Sequence, residues 1–152
     1  MKTILTYGTF DLLHVGHVRL LERASDMGDR LIVGISSDEF NARKGKTSIL
    51  PYSDRAEIVS ALGMVDEVFP EHDWEQKPGD IARFGADVFT MGGDWEGKFD
   101  ELRAHCEVVY LPRTEGVSTT GLKSALSAFE SVKLGEFRKG LDAIQSIVSQ
   151  LS

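Results

Sequence analysis

Two histidines, His14 and His17, flank Gly16 in the stretch YGTFDLLHVGHVRLLERA, where an apolar strand gives way to an amphipathic helix. Imidazoles so placed can hold a metal, act as a general base or clamp an anion. Paired histidines are most often plain core or surface features, so the rest of the chain has to choose. Zinc needs a third protein ligand, and His72 and His105 are scattered while no cysteine pair exists. An anion is better served. Gly8 permits a tight turn at the strand exit, and Gly16 permits close approach at the helix start. Free N–H groups at a helix start favour negative charge by up to about 2 kcal/mol in good geometry.

A second segment, YLPRTEGVSTTGLKSAL, has the same form. A strand ends, Arg113 sits in the exit loop, and Ser118 or Thr119 caps the next helix. Taken alone, STT is simply a good N-cap; with Arg113 beside it, a second anion cradle is the stronger reading. Two cradles at two strand exits suit a long polyanion such as a nucleoside triphosphate. The glycine-rich phosphate loop and the three-glycine dinucleotide fingerprint are both absent.

The elements that must position these residues alternate. Strands are expected at 3–8, 30–37, 65–70, 86–92 and 106–111, with helices near 16–27, 53–63, 78–84, 97–104 and 118–129. Strands separated by helices pair in parallel through right-handed crossovers. The expected fold is α/β: a Rossmann-like, doubly wound five-stranded parallel sheet with helices on both faces. Ligands then bind beyond the carboxyl ends of the strands, where strand order reverses, and the first strand belongs at that centre. A C-terminal helical extension carries an apolar stripe of Leu134, Phe137, Leu141, Ile144, Ile147, Val148 and Leu151. The organisation expected is one domain over 1–128 and an extension over 129–152, packed on that domain or at a dimer contact.

Composition bounds the class. With 152 residues and 41% hydrophobic content the chain can bury a real core, and no apolar run approaches a membrane span. The start MKTILTYGTF does not read as a signal peptide. Cys106 is the single cysteine, which excludes an internal disulfide and fits a cytoplasmic location. A net charge of -7 argues against nucleic acid as a partner.

YGTFDLLHVGH and PRTEGVSTT closely resemble the two signatures of the cytidylyltransferases, in the nucleotidyltransferase superfamily that carries the HxGH motif. WEQK and MGGDWEGKFD resemble the glycerol phosphate branch of that family, and the resemblance runs from residue 1 to roughly 128. It implies transfer of CMP from CTP to sn-glycerol 3-phosphate, giving CDP-glycerol and pyrophosphate by in-line attack on the α-phosphate. It further implies His14, His17, Lys44 and Arg113 as catalytic residues. CTP would be held by Thr9, Phe10, His14, Val15, Gly16, His17, Lys46, Asp94 and the run Arg113, Thr114, Glu115, Gly116, Val117, Ser118, Thr119 and Thr120. Asp11, Lys44, Trp74 and Lys77 would meet the glycerol phosphate. Mg2+ would come with the triphosphate, bound through its oxygens and water and held in no protein metal site. The family also implies a homodimer and a supply of CDP-glycerol to teichoic acid or capsule polymers. Without the resemblance, Lys44 and Lys46 in RKGKTS read as a solvated basic loop, and Arg55 as added site charge or a surface ion pair. Gly63 stands where close relatives carry arginine, and Gly93 where they carry an acidic residue. Two other readings stay open: a transferase for another polyol phosphate or an AMP donor, and a nucleotide-sensing domain without turnover.

Overall fold

The computed structural model describes residues 1–112 and 119–151, with 119–122 and 129–132 described through their backbone. It divides into two compact units, Met1–Val117 and Ser118–Ser152.

The first unit is built on five strands: β1 (Thr3–Gly8), β2 (Arg30–Ser36), β3 (Glu67–Glu71), β4 (Val88–Gly92) and β5 (Glu107–Leu111). All neighbouring pairs are parallel, in the order β3-β2-β1-β4-β5. The chain therefore winds outward from β1 to β3, then returns to the other side of β1. This reversal puts the switch point between β1 and β4, where the sheet leaves a crevice beyond its carboxyl edge. The expected fold and the central place of the first strand both hold.

Helices cover both faces because the central strands are apolar on both. Ile4, Leu31, Val33, Ile35 and Val88 pack with Leu21 and Ala24 of α1 (Val15–Asp26) and Val59 of α3 (Tyr52–Ser60). Leu5, Tyr7, Ile32 and Phe89 face the other way, onto Ile81 of α4 (Lys77–Phe84), Phe99 and Leu102. β3, which carries Pro70, lies at a sheet edge, where a missing N–H costs no ladder bond.

Several elements differ from the sequence expectation. A short helix, α2 (Asp38–Arg43), follows β2, with the Ser37 side chain accepting from the Phe40 N–H. Six residues are too few to show a helical period. The expected helix near 97–104 is a 3-10 turn at Asp100–Ala104, and a second 3-10 turn covers Gly93–Trp95. The second unit contains one continuous helix, α5 (Thr119–Leu151), so no break in secondary structure marks residue 128.

Gly34 is required by close approach. A Cβ on Gly34, mid-way along β2, would lie 2.4 Å from Tyr7 and 2.9 Å from Phe69. Both rings are buried and stacked edge to face, so neither can withdraw. Gly34→Ala is expected to lower unfolding free energy by roughly 1–3 kcal/mol, the usual cost of overpacking. A urea titration with an unchanged midpoint would show that the rings move aside freely.

Candidate active site

The carboxyl end of β1 leads into a strained turn. Phe10 and Leu12 both hold positive φ, 52° and 50°, which side chains other than glycine rarely adopt. Such conformations persist where surrounding bonds over-determine them. Here those bonds are visible. The Asp11 carboxylate, only 2% exposed, accepts from the Ile49 N–H at 2.7 Å and the Leu50 N–H at 3.0 Å. The Thr9 carbonyl accepts from Arg55 at 2.8 Å. The strand exit is thereby tied to the loop that follows α2.

The turn delivers His14 to the N-cap of α1 and His17 to its first turn. The Gly16 N–H donates to His14 Nδ1 at 3.0 Å, and the His14 N–H donates to His17 Nδ1 at 3.2 Å. This is a capping box in which imidazoles replace the usual hydroxyl and carboxamide. The rings stack at 3.9 Å, and the Phe10 ring meets His17 edge-on. An Nδ1 that accepts an N–H carries no proton, so each neutral ring holds its proton on Nε2. Burial holds His14 below the ordinary histidine value. It takes His17 down to about 4, with the neighbouring His14 adding to the shift and Asp11 opposing it. Both rings are therefore neutral Nε2–H donors at pH 7.

Beside them lies a cluster of cations. Lys44 caps the end of α2, and its Nζ donates to Ser36 Oγ at 3.0 Å. Ser36 Oγ in turn donates to Glu71 Oε1 at 3.2 Å, and Glu71 Oε2 accepts from Lys77 Nζ at 2.6 Å. Lys77 and Glu71 are both buried. Breaking such a pair from one side costs roughly 3–5 kcal/mol, since the charge left behind has no partner. Trp74 lies under both ammonium groups, 5.2 Å from Lys44 Nζ and 4.6 Å from Lys77 Nζ. Burial brings the Lys44 ammonium down to about 8, Glu71 opposing the shift and Lys46, Lys77 and Arg55 adding to it. Lys46 is exposed, next to Gly45 with φ 73°. Trp74, Lys77, Trp95, Lys98 and Phe99 line a hollow of about 480 Å3 against this cluster.

The structure thus brings together Thr9, Phe10, Asp11, His14, Val15, Gly16 and His17 on one strand–helix junction, and Lys44, Trp74 and Lys77 on one bonded network. Asp94 is exposed in the 3-10 turn after β4. Arg113, Thr114, Glu115, Gly116, Val117 and Ser118 lie outside the described residues; Thr119 and Thr120 begin α5. The Pro112 carbonyl, next to Arg113, accepts from Arg23 of α1. Gly63 is exposed, and a Cβ there would meet nothing within 4 Å. It lies between α3 and β3, at the sheet edge opposite the strand exits.

Arg55 is the residue whose place the sequence hid. Its guanidinium is fully buried and donates to the carbonyls of Leu50, Thr9 and Ser36, at 3.0, 2.8 and 2.8 Å, and to Asp38 Oδ1 at 2.8 Å. It is neither a surface ion pair nor spare charge. It binds the ends of β1 and β2 and the lysine loop into one floor. SDRAEIVS reads locally as an exposed helix start, and no spacing signals the three carbonyls that converge there.

Among the described residues, no group of three or more His, Cys, Asp or Glu could hold a metal ion. Both Asp11 oxygens already accept N–H groups. The donors among the described residues of this unit do not fit a protein-held cation.

The cytidylyltransferase-like family matches residues 5–136. The chain belongs to that family. It is 58% identical over 127 residues to glycerol-3-phosphate cytidylyltransferase of Bacillus subtilis, covering 84% of this chain and 98% of the relative. The Staphylococcus aureus protein of the same name is 54% identical over 126 residues, covering 83% of this chain and 96% of the relative. Among solved structures, the lipopolysaccharide core biosynthesis protein from Thermoplasma volcanium aligns with a TM-score of 0.62 at 26% identity, covering 75% of this chain and 97% of that one. The junction lies at the switch point of the sheet, where open α/β sheets bind their ligands.

Acid should loosen this junction. His17 has a lower pKa folded than unfolded, so the unfolded chain takes up its proton first and stability falls with pH. The window runs from about 6.5 down to about 4. In His17→Gln the carboxamide oxygen can still accept the His14 N–H. Melting temperature should therefore fall less across that window in His17→Gln than in the parent chain. Parallel melting curves would remove His17 as the acid-sensitive group.

Proposed function

We propose that this chain transfers CMP from CTP to the phosphate of sn-glycerol 3-phosphate, releasing CDP-glycerol and pyrophosphate. The observation that carries this reading is the imidazole capping box at the β1 exit, which confines the proton of each ring to Nε2, with a lysine network at the exit of the neighbouring strand β2. Near-complete alignment with glycerol-3-phosphate cytidylyltransferases supports both the nucleotide and the acceptor.

The chemistry asks little of side chains as bases. A phosphate monoester is mostly dianionic at pH 7 and is already a nucleophile. One of its oxygens attacks the α-phosphorus in line; the bond from that phosphorus to the bridging oxygen breaks, and pyrophosphate leaves with the electron pair. The protein must bring two anions together, which can supply roughly 7–11 kcal/mol of the barrier. His14 and His17 donate to oxygens on the α-phosphate and the leaving group, where fixed donors are each worth about 10²–10³ in rate. Lys44 lies between the two phosphates, Lys46 on the CTP side. Trp74, Lys77 and the hollow beside them receive the glycerol moiety, while Asp11 holds the loop carrying both lysines. Thr9, Phe10, Val15 and Gly16 line the nucleotide's approach. Asp94 and residues 113–120 complete the triphosphate and base contacts by resemblance. Mg2+ carried by the triphosphate would be bound through its oxygens and water and would screen its charge. A cytoplasmic homodimer feeding a glycerol phosphate polymer is the setting that the family suggests.

Pyrophosphate release should appear with CTP and glycerol 3-phosphate together, and stay at background with ATP, GTP or UTP or with other alcohol phosphates. Under the same assay His17→Gln should lose about 10²–10³ in kcat. Release from ATP, or nucleotide binding without release, would point to the AMP-transferring or sensing alternatives.

Lys44 adds a pH signature. Its ammonium discharges as pH rises through about 8 in the free protein. The kcat/KM for the acceptor should fall above that pH, and Lys44→Arg should move the fall upward, since guanidinium stays charged. A pH profile identical in both proteins would assign the limb to another group.

A further inference from the structure

The strongest unexplained feature outside the site is the far half of α5. Leu134, Phe137, Leu141, Ile144, Val148 and Leu151 recur at alternating spacings of three and four, the a and d positions of a heptad repeat. All are exposed, as is Ile147 beside them. The helix also contains Gly135 and Gly140, whose Cβ positions are open. Each glycine costs an exposed helix about 1 kcal/mol relative to alanine. Helical stability in proteins comes mainly from a covered apolar face, so something must cover this one. Most of the seam lies beyond the family match, which stops at residue 136, and the Bacillus subtilis relative is matched over 98% of its length by 127 residues of this chain.

We propose that residues 134–151 pair in antiparallel fashion with the same segment of a second copy of this chain. Area and charge both favour a second copy. The seven exposed apolar side chains together offer on the order of 800 Å2, the contribution of one partner to a standard interface. In a parallel pair, Lys133 at a g position would face Arg138 at the following e position of the partner, two like charges side by side. It would also oppose the two Phe137 rings. The antiparallel register removes both conflicts. Leu134 faces Leu151, Phe137 faces Val148, and Leu141 faces Ile144, so each layer combines complementary volumes. Arg138 then lies opposite Gln145, Gly140 and Ile147 occupy the other edge, and the helix dipoles oppose.

Cysteine cross-linking of the full chain tests this independently of the proposed reaction. In a Cys106→Ser background, Phe137→Cys with Val148→Cys should oxidise to covalent dimers, while either substitution alone should not. Eleven residues along a helix span about 16 Å, too far for a disulfide within one chain. Adding Leu141→Glu and Ile144→Glu to the cysteine pair should reduce the dimer at least tenfold. Dimers from Phe137→Cys alone would mean parallel pairing and overturn the proposal. Monomers from all three cysteine variants would overturn it too. So would a cross-link that survives the two glutamates.

Discussion

The first N–H groups of α1 must find acceptors, and the acceptors they find are two imidazoles. That constraint organises the site. Because His14 and His17 use Nδ1 to close the helix start, their protons are confined to Nε2 and their planes to a stacked pair. A serine–glutamate capping box would hold the helix as well, but its carboxylate would offer an anion no donor. Burial then keeps both rings neutral, so their hydrogen bonds to an anion need no prior proton uptake. Helix stability and donor orientation are one interaction.

The cationic side of the site follows a different logic. Among the described residues, no buried side-chain nitrogen or oxygen lacks a partner. Lys77 is neutralised by Glu71, and Lys44 reaches the same carboxylate through Ser36. Arg55 is directed to carbonyls, an arrangement that spends its donors on positioning strand ends. Among the described cations of this cluster, Lys46 in solvent and Lys44 under partial desolvation are left for a ligand's phosphates, with aromatic faces on one side. A loosely held ammonium near its pKa suits an anion that must arrive and leave.

The sheet was legible in the chain because each central strand is apolar over five or six residues and is punctuated by glycine, proline or a polar exit. The histidine pair was legible for a similar reason: Gly8, Gly16, His14 and His17 fall where a strand must turn into a helix. Their capping geometry was not, since HVGH can be read as a metal site, a base or a clamp until the backbone places each Nδ1. The α2 helix escaped notice because six residues complete fewer than two turns. The heptad spacing of 134–151 was visible only as an apolar stripe; the uninterrupted α5 helix makes its register continuous.

By itself, then, the sequence determined the α/β alternation, the switch-point location and the residue types at the β1 exit, all of which depend on spacing within a dozen neighbours. Tertiary structure alone decided that Arg55 is a buried staple, that Glu71 neutralises Lys77, and that Asp11 grips a loop nearly forty residues away. Hydrogen bonds and ion pairs between distant segments depend on where strands end in space, and no local pattern encodes that.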